Sequence, residues 1–144
     1  MMIVSACLAG FNTRYDSTNC MDNRVAALVS AGKAIPLCPE QLGGLSTPRI
    51  PVELCRQHKN GSDEPDIHAV GADGKDYTDM LLKGAEETLR IACVFGVKRA
   101  VLKDGSPSCG VTYIWCSGGK MQGKGITAEL LEKNDIEVIT VDSL

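Results

Sequence analysis

Val101-Leu102-Lys103-Asp104-Gly105-Ser106-Pro107-Ser108-Cys109-Gly110 is a short apolar strand that runs straight into a loop of Gly, Ser and Pro presenting a cysteine. The same arrangement occurs twice more. Ile3-Val4-Ser5-Ala6 leads into Cys7, and Ala34-Ile35-Pro36-Leu37 leads into Cys38-Pro39-Glu40. Three strands therefore each deliver one cysteine at the C-terminal end. In an open α/β sheet the crevice outside the carboxyl ends of the strands is where ligands bind. Cysteines far apart in sequence are thus expected to converge on one small object.

The intervening segments support that architecture. Val25, Leu28 and Val29 fall at helical spacing between Asp22 and Ala31, with Gly32 placed to end a first crossover helix. Pro36 cannot donate a ladder hydrogen bond, which puts the strand of residues 34–37 at a sheet edge. The loop 38–49 is too rich in Gly and Pro to suggest a regular element, and loops of that length in small domains usually carry function. Residues 50–75 lack a helical period; Asn60-Gly61 and Ala72-Asp73-Gly74 are turn signals around extended pieces such as residues 67–70, which reads as a small hairpin excursion.

The longest helix is expected from Thr78, acting as its cap, to about Phe95. Leu81, Leu82, Ala85, Leu89, Ala92 and Cys93 share one face, and Gly96 stops it. A strand at 99–103 precedes the opening loop, and 112–115 is a further short extended segment. Gly118, Gly119, Gly123 and Gly125 then read as a flexible lid or plain turn ahead of a helix capped by Thr127 and ended by Asn134. A last strand covers 137–141. The whole chain, 1–144, is expected to form a single α/β domain: a mostly parallel sheet of about four to five strands, Rossmann-like, with helices on both faces.

A chain of 144 residues can bury roughly two-thirds of its unfolded surface, so it needs no disulfide framework. A formal charge of −3 excludes a polybasic binder of duplex nucleic acid. No stretch approaches the ~18 apolar residues of a membrane span, and the N-terminus has no secretory pattern. The expected location is cytoplasmic, where thiols are kept reduced. The seven cysteines are then better explained by metal binding, catalysis or burial than by disulfides. His58 and His68, ten residues apart, make a poor metal pair.

Thiolates are the soft ligands that select iron–sulfur clusters, copper(I) or zinc. Cys7, Cys38 and Cys109 are suited to three irons of a 4Fe-4S cluster, which leaves the fourth iron without a protein ligand. Two other readings use the same residues. One is a zinc-dependent hydrolase with water in the fourth position. The other is a non-catalytic nucleotide- or partner-binding module whose cysteines are merely buried. Cys20, Cys55, Cys93 and Cys116 read as structural, Cys116 being the one whose loop setting resembles that of the ligands.

Four blocks, in order along nearly the whole chain, resemble the 2-thiouracil desulfurase family. They are Ser5-Ala6-Cys7-Leu8-Ala9-Gly10 with Arg14-Tyr15-Asp16; Cys38-Pro39-Glu40-Gln41-Leu42-Gly43-Gly44-Leu45-Ser46-Thr47-Pro48-Arg49; Leu102-Lys103 with Ser106-Pro107-Ser108-Cys109-Gly110; and Gly123-Lys124-Gly125-Ile126-Thr127-Ala128. The chain departs from the family pattern at Thr13, where a second cysteine often stands, and over residues 114–119. The resemblance implies an oxygen-sensitive 4Fe-4S cluster on Cys7, Cys38 and Cys109, with the open iron binding the sulfur of a small thiolated pyrimidine. It implies a catalytic pair of Glu40 and a loop serine, Ser106 or Ser108. Arg14, Tyr15 and Arg49 are candidates for holding the substrate. The plainer roles stand beside these: Glu40 as a helix cap, the serines as turn residues, the arginines as solvated surface. The oligomeric state is not legible.

Overall fold

The computed structural model describes residues 1–57 and 66–144. In chain order these form β1 (Met2–Ser5), α1 (Asn23–Ser30), β2 (Ala34–Leu37), α2 (Pro39–Leu42), β3 (Val52–Gln57), β4 (Asp66–Gly71), α3 (Thr78–Phe95), β5 (Arg99–Val101), β6 (Tyr113–Cys116), β7 (Gly119–Gln122), α4 (Ile126–Lys133) and β8 (Glu137–Ile139). A parallel four-stranded sheet runs in the order β2-β1-β5-β8. Pro36 lies on its edge strand, as its missing N–H requires.

Alternation along the strands divides the core. Ile3, Leu37, Ala100 and Val138 pack on one face with Ala92 of α3 and Leu131 of α4. Val4, Ala34 and Val101 pack on the other with Val25 of α1. Both faces are covered, which is why β1 and β5 read as continuous apolar runs rather than alternating ones. No helix among the described residues is long and apolar enough to cross a membrane.

The excursion expected after residue 50 is the antiparallel pair β3–β4. The Asn60-Gly61 turn and His58 lie outside the described residues, and His68 is exposed on β4. The glycine-rich run contains a second antiparallel pair, β6–β7, rather than a lid or plain turn. Leu54, Ala69, Leu81, Ala85, Ile114 and Ile126 form a separate apolar cluster beneath the two hairpins.

Cys55 and Cys116 form a disulfide across a sequence separation of 61 residues. This corrects the expectation that the cysteines stay reduced. The contact of β3 with β6 brings two strand residues of separate hairpins to a Cα–Cα distance of 5.2 Å, a pairing with no local sequence signature. Cys93 also departs from expectation, being exposed on α3 instead of lying in its buried face. That face is Leu81, Gly84, Ala85, Thr88 and Ala92, rotated slightly from the predicted one; Leu82 is exposed.

Two helix caps differ from expectation, by one and by two residues. Tyr77 is the N-cap of α3, and Asp76 accepts the Thr78 N–H at 2.8 Å while the Thr78 hydroxyl accepts from Ala69 N–H. Gly125, not Thr127, caps α4. Loop 38–49 holds the short helix α2, begun by Pro39 at its first turn.

The contact of α2 with α3 depends on two glycines. A Cβ on Gly84 would stand 2.0 Å from the Pro39 carbonyl oxygen, and one on Gly43 would stand 2.1 Å from the Met80 carbonyl oxygen. On an open helix Gly84→Ala would gain about 1 kcal/mol of propensity. Here main chain meets main chain, so no rotamer change relieves the overlap. Gly84→Ala should therefore cost a net ~1–3 kcal/mol and lower the Tm, as overpacking does. A thermal melt with an unchanged or higher Tm would show that α2 is not held by this contact.

Candidate functional site

β1, β2 and β5 are adjacent and parallel, so their C-terminal ends open on the same side. Cys7 lies in the 3-10 turn Ala6–Ala9 that follows β1, Cys38 follows β2 directly, and Cys109 returns on the loop after β5. All three line one cavity of about 500 Å³, together with Glu40, Ser106, Arg14, Tyr15 and Arg49. Cys7 and Cys109 are buried and Cys38 is half-buried. The three cysteines raise one another's pKa or are raised by their surroundings. The hydrogen bond with Cys20 pushes Cys7 up most, followed by burial and the nearby Cys109 and Cys38. Burial pushes Cys109 up to about 12, with Cys38 and Glu40 adding to it. Burial also raises Cys38, against the backbone N–H of Gln41 and the Arg49 charge.

Among the described residues, no three Cys, His, Asp or Glu side chains are gathered closely enough to hold a metal ion. A lone zinc needs its sulfur ligands at about 2.3 Å from one centre. A cube of irons and sulfides is wider and takes each thiolate at a separate iron. Three thiols lining a shared cavity, from three separate elements, suit a group that takes each thiolate at a separate iron.

The loop carrying Cys109 is built around Asp104, which sequence reading passed over. Its carboxylate accepts N–H groups from Val111 at 2.9 Å, Thr112 at 2.9 Å and Tyr113 at 3.2 Å, as well as the Thr112 hydroxyl. Burial alone would raise its pKa, but these donors outweigh it and hold the carboxylate low. The available signal was Asp104-Gly105 directly after a strand, a turn pair whose side chain can accept local N–H groups.

The two candidate serines separate. Ser106 lines the cavity, and its oxygen accepts the N–H groups of Ser108 and Cys109, each at 3.1 Å. Ser108 is fully buried behind the loop, outside the cavity wall, its hydroxyl without a hydrogen-bond partner among the described residues. The first N–H groups of α4 do not face the cavity either. Ile126 donates to Pro107 O and Thr127 to Ser108 O, each at 2.9 Å, so the helix start anchors the Cys109 loop.

Glu40 lies in the first turn of α2 and pairs with Arg49 at 3.5 Å. The Arg49 guanidinium is buried and largely committed. It donates to Thr13 O at 2.8 Å and Thr47 Oγ1 at 2.8 Å, and reaches Cys38 Sγ at 3.8 Å. It thus ties the three loops after β1, β2 and α2 together around Cys38. Arg14 sits 6.0 Å from the ring centre of Tyr15, which is partly exposed at the rim. The opposite wall includes Tyr113 and Trp115 of β6, their rings edge to face at 6.2 Å. The Cys55–Cys116 disulfide fixes the residue after Trp115 to β3. Neither the aromatic wall nor Cys20, whose N–H donates to the Cys7 carbonyl at 3.1 Å and whose thiol is pulled down by its neighbour Cys7, was singled out from sequence.

Comparison with known proteins gives the family. The 2-thiouracil desulfurase family matches residues 2–143. An uncharacterized protein of Bacillus subtilis (strain 168), YbbK, is 37% identical over 151 residues, covering 100% of this chain and 97% of YbbK. The solved structure of the 4Fe-4S-dependent thiouracil desulfidase TudS aligns with a TM-score of 0.85 at 40% identity, over 99% of this chain and 91% of TudS. With the match running through all three cysteine-bearing strand ends, the chain belongs to the 2-thiouracil desulfurase family of enzymes.

Proposed function

We propose that this protein removes sulfur from a thiolated pyrimidine of the 2-thiouracil type, with Cys7, Cys38 and Cys109 holding a 4Fe-4S cluster in the cavity. The observation that carries this reading is the convergence of three thiols, from three parallel strand ends, on one cavity that also presents Glu40 and Ser106. Three protein ligands leave one iron of four uncommitted, and a cluster so bound supplies a Lewis acid for the substrate sulfur.

The net reaction is a hydrolysis. Water gives its oxygen to the ring carbon that carried sulfur, the sulfur leaves as hydrogen sulfide, and no electrons are gained or lost. The side chains then have definite tasks. Glu40 takes a proton from the attacking water and returns one to the ring nitrogen or the departing sulfide. Ser106 has both backbone N–H bonds on its oxygen, which leaves its proton to donate to the pyrimidine edge. Tyr113 and Trp115 face the ring, and Arg14 with Tyr15 closes the rim. Arg49 keeps Glu40 and Cys38 in place more than it reads the substrate.

The test is anaerobic purification and reconstitution with iron and sulfide, followed by a visible spectrum with and without 2-thiouracil. About four irons per chain, a spectrum altered by 2-thiouracil and stoichiometric release of sulfide with uracil are expected. A colourless chain that binds zinc tightly and no iron would refute the cofactor, and an iron-loaded chain that releases no sulfide from any thiopyrimidine would refute the reaction.

A further inference from the structure

The Cys55–Cys116 disulfide has no task in the reaction above, and the fold does not need it. A chain of this length buries enough apolar surface to do without a covalent staple. Leu54, Ile114 and Ile126 already share an apolar cluster beneath the hairpins. The bond stands instead where it bears on the cavity.

The side chains of β6 alternate between two surroundings. Ile114 is 3% exposed and shares its cluster with Leu54 of β3, and Cys116, two residues on, is bonded to Cys55 of the same strand. Tyr113 and Trp115 line the cavity. Trp115 therefore sits between two anchors to β3, one apolar and one covalent.

β3 and β6 belong to separate antiparallel pairs and share no ladder among the described residues. After Cys116 the hairpin turns through Ser117 and Gly118, at φ 52° and 75°, and the Gly118 N–H donates to the Glu53 carboxylate at 3.2 Å. That hydrogen bond lies at the surface and is weak by itself. The turn end of the hairpin thus depends mainly on the disulfide. Trp115 is 44% exposed, so its own packing does not pin it. Both cysteines are partly exposed, within reach of a small dithiol.

We propose that the Cys55–Cys116 disulfide is a redox-sensitive positioning element that acts through Trp115: oxidised, it holds the indole against the pyrimidine ring; reduced, it releases the turn end of the hairpin and weakens substrate binding while the chemistry continues. The step is thiol–disulfide exchange. A dithiol supplies two electrons and two protons, the S–S bond breaks to two thiols, and the dithiol closes to its own disulfide. This inference rests on the reading of Tyr113 and Trp115 as the wall that meets the ring.

The experiment compares the anaerobically purified parent, loaded with iron and sulfide in the absence of dithiol, before and after dithiothreitol. Beside it stand the Cys55→Ser/Cys116→Ser pair, Trp115→Ala, and the chain carrying all three substitutions. Alkylation after denaturation counts free thiols, and KM and kcat are measured with 2-thiouracil. Trp115 is the chain's one tryptophan, so fluorescence anisotropy reports its freedom directly. The parent should alkylate at five cysteines without dithiothreitol and at seven with it. Reduction, or the paired serine substitution, should raise KM about 3- to 10-fold, leave kcat within about twofold, and lower the anisotropy. Trp115→Ala should already show the raised KM, and loss of the disulfide should add nothing to it.

An equal KM shift with and without Trp115 would make the disulfide a general support and overturn its positioning role. Seven free thiols before any dithiol would overturn it as well, as would unchanged KM and anisotropy in a parent shown to be reduced. A loaded parent that releases no sulfide would refute the desulfuration reading alone, and the anisotropy change would then decide whether the disulfide holds Trp115.

Discussion

Glu40→Gln should retain the parent's iron and sulfide content and lose ~10²- to 10⁴-fold in kcat for thiouracil desulfuration, the usual range for removing a general acid–base group. The substitution keeps the volume and a hydrogen-bonding head while removing the carboxyl group that takes up and releases a proton. The structure makes it a clean change. Arg49, which pairs with Glu40 at 3.5 Å, is also held by Thr13 O, Thr47 Oγ1 and Ser46 O, so its position does not depend on the carboxylate. Pro39 and the α2–α3 contact hold the first turn of α2 independently of residue 40. A Gln variant with parent-like kcat would remove Glu40 from the chemistry. Lost iron would instead assign it to support of Cys38, two residues before it.

Cys109→Ala should abolish iron and acid-labile sulfide binding, and with them all turnover, while an exposed-site control, Cys93→Ala, leaves both at the parent level. Cys109 is 5% exposed and packs with Leu102, Ala128 and Leu131, so truncation also removes some apolar contact. Circular dichroism and a thermal melt separate that loss from loss of the ligand: a folded chain without iron is the expected outcome. The expectation is strong because Cys20, the one further thiol in contact with a candidate ligand, sits against Cys7 and not against Cys109. A Cys109→Ala chain that still carries a full cluster would show that the thiols serve some other purpose.

Much of the arrangement is written in local patterns. Three apolar runs that each end in a cysteine, separated by helical periods, dictate parallel strands with crossover helices, because parallel neighbours cannot be joined by a tight turn. Pro36 assigns an edge, Gly96 ends a helix, and the C-terminal side of the sheet becomes the cavity. Cys7, Cys38, Cys109, Glu40 and the pair Ser106 and Ser108 were therefore legible together as candidates for one site, since they stand on the segments that leave these strand ends.

Other features depend on which surfaces meet, and no local pattern encodes that. Ser106 and Ser108 are two residues apart in one loop, yet α4 packs against one side of it, leaving Ser106 in the cavity and Ser108 sealed behind. The disulfide joins residues 61 apart through the packing of two hairpins. Arg49 becomes a tie between three loops only because Thr13, Glu40 and Cys38 surround it. Ser5 accepts the Lys103 N–H because register sets which backbone group lies opposite it. Strand ends, and with them the cysteine set and the side of the sheet on which the cavity opens, were legible in the chain because connectivity and hydrophobic period act over a few residues. Which hydroxyl, charge and sulfur meet came from the folded packing, because side-chain contacts arise from long-range register.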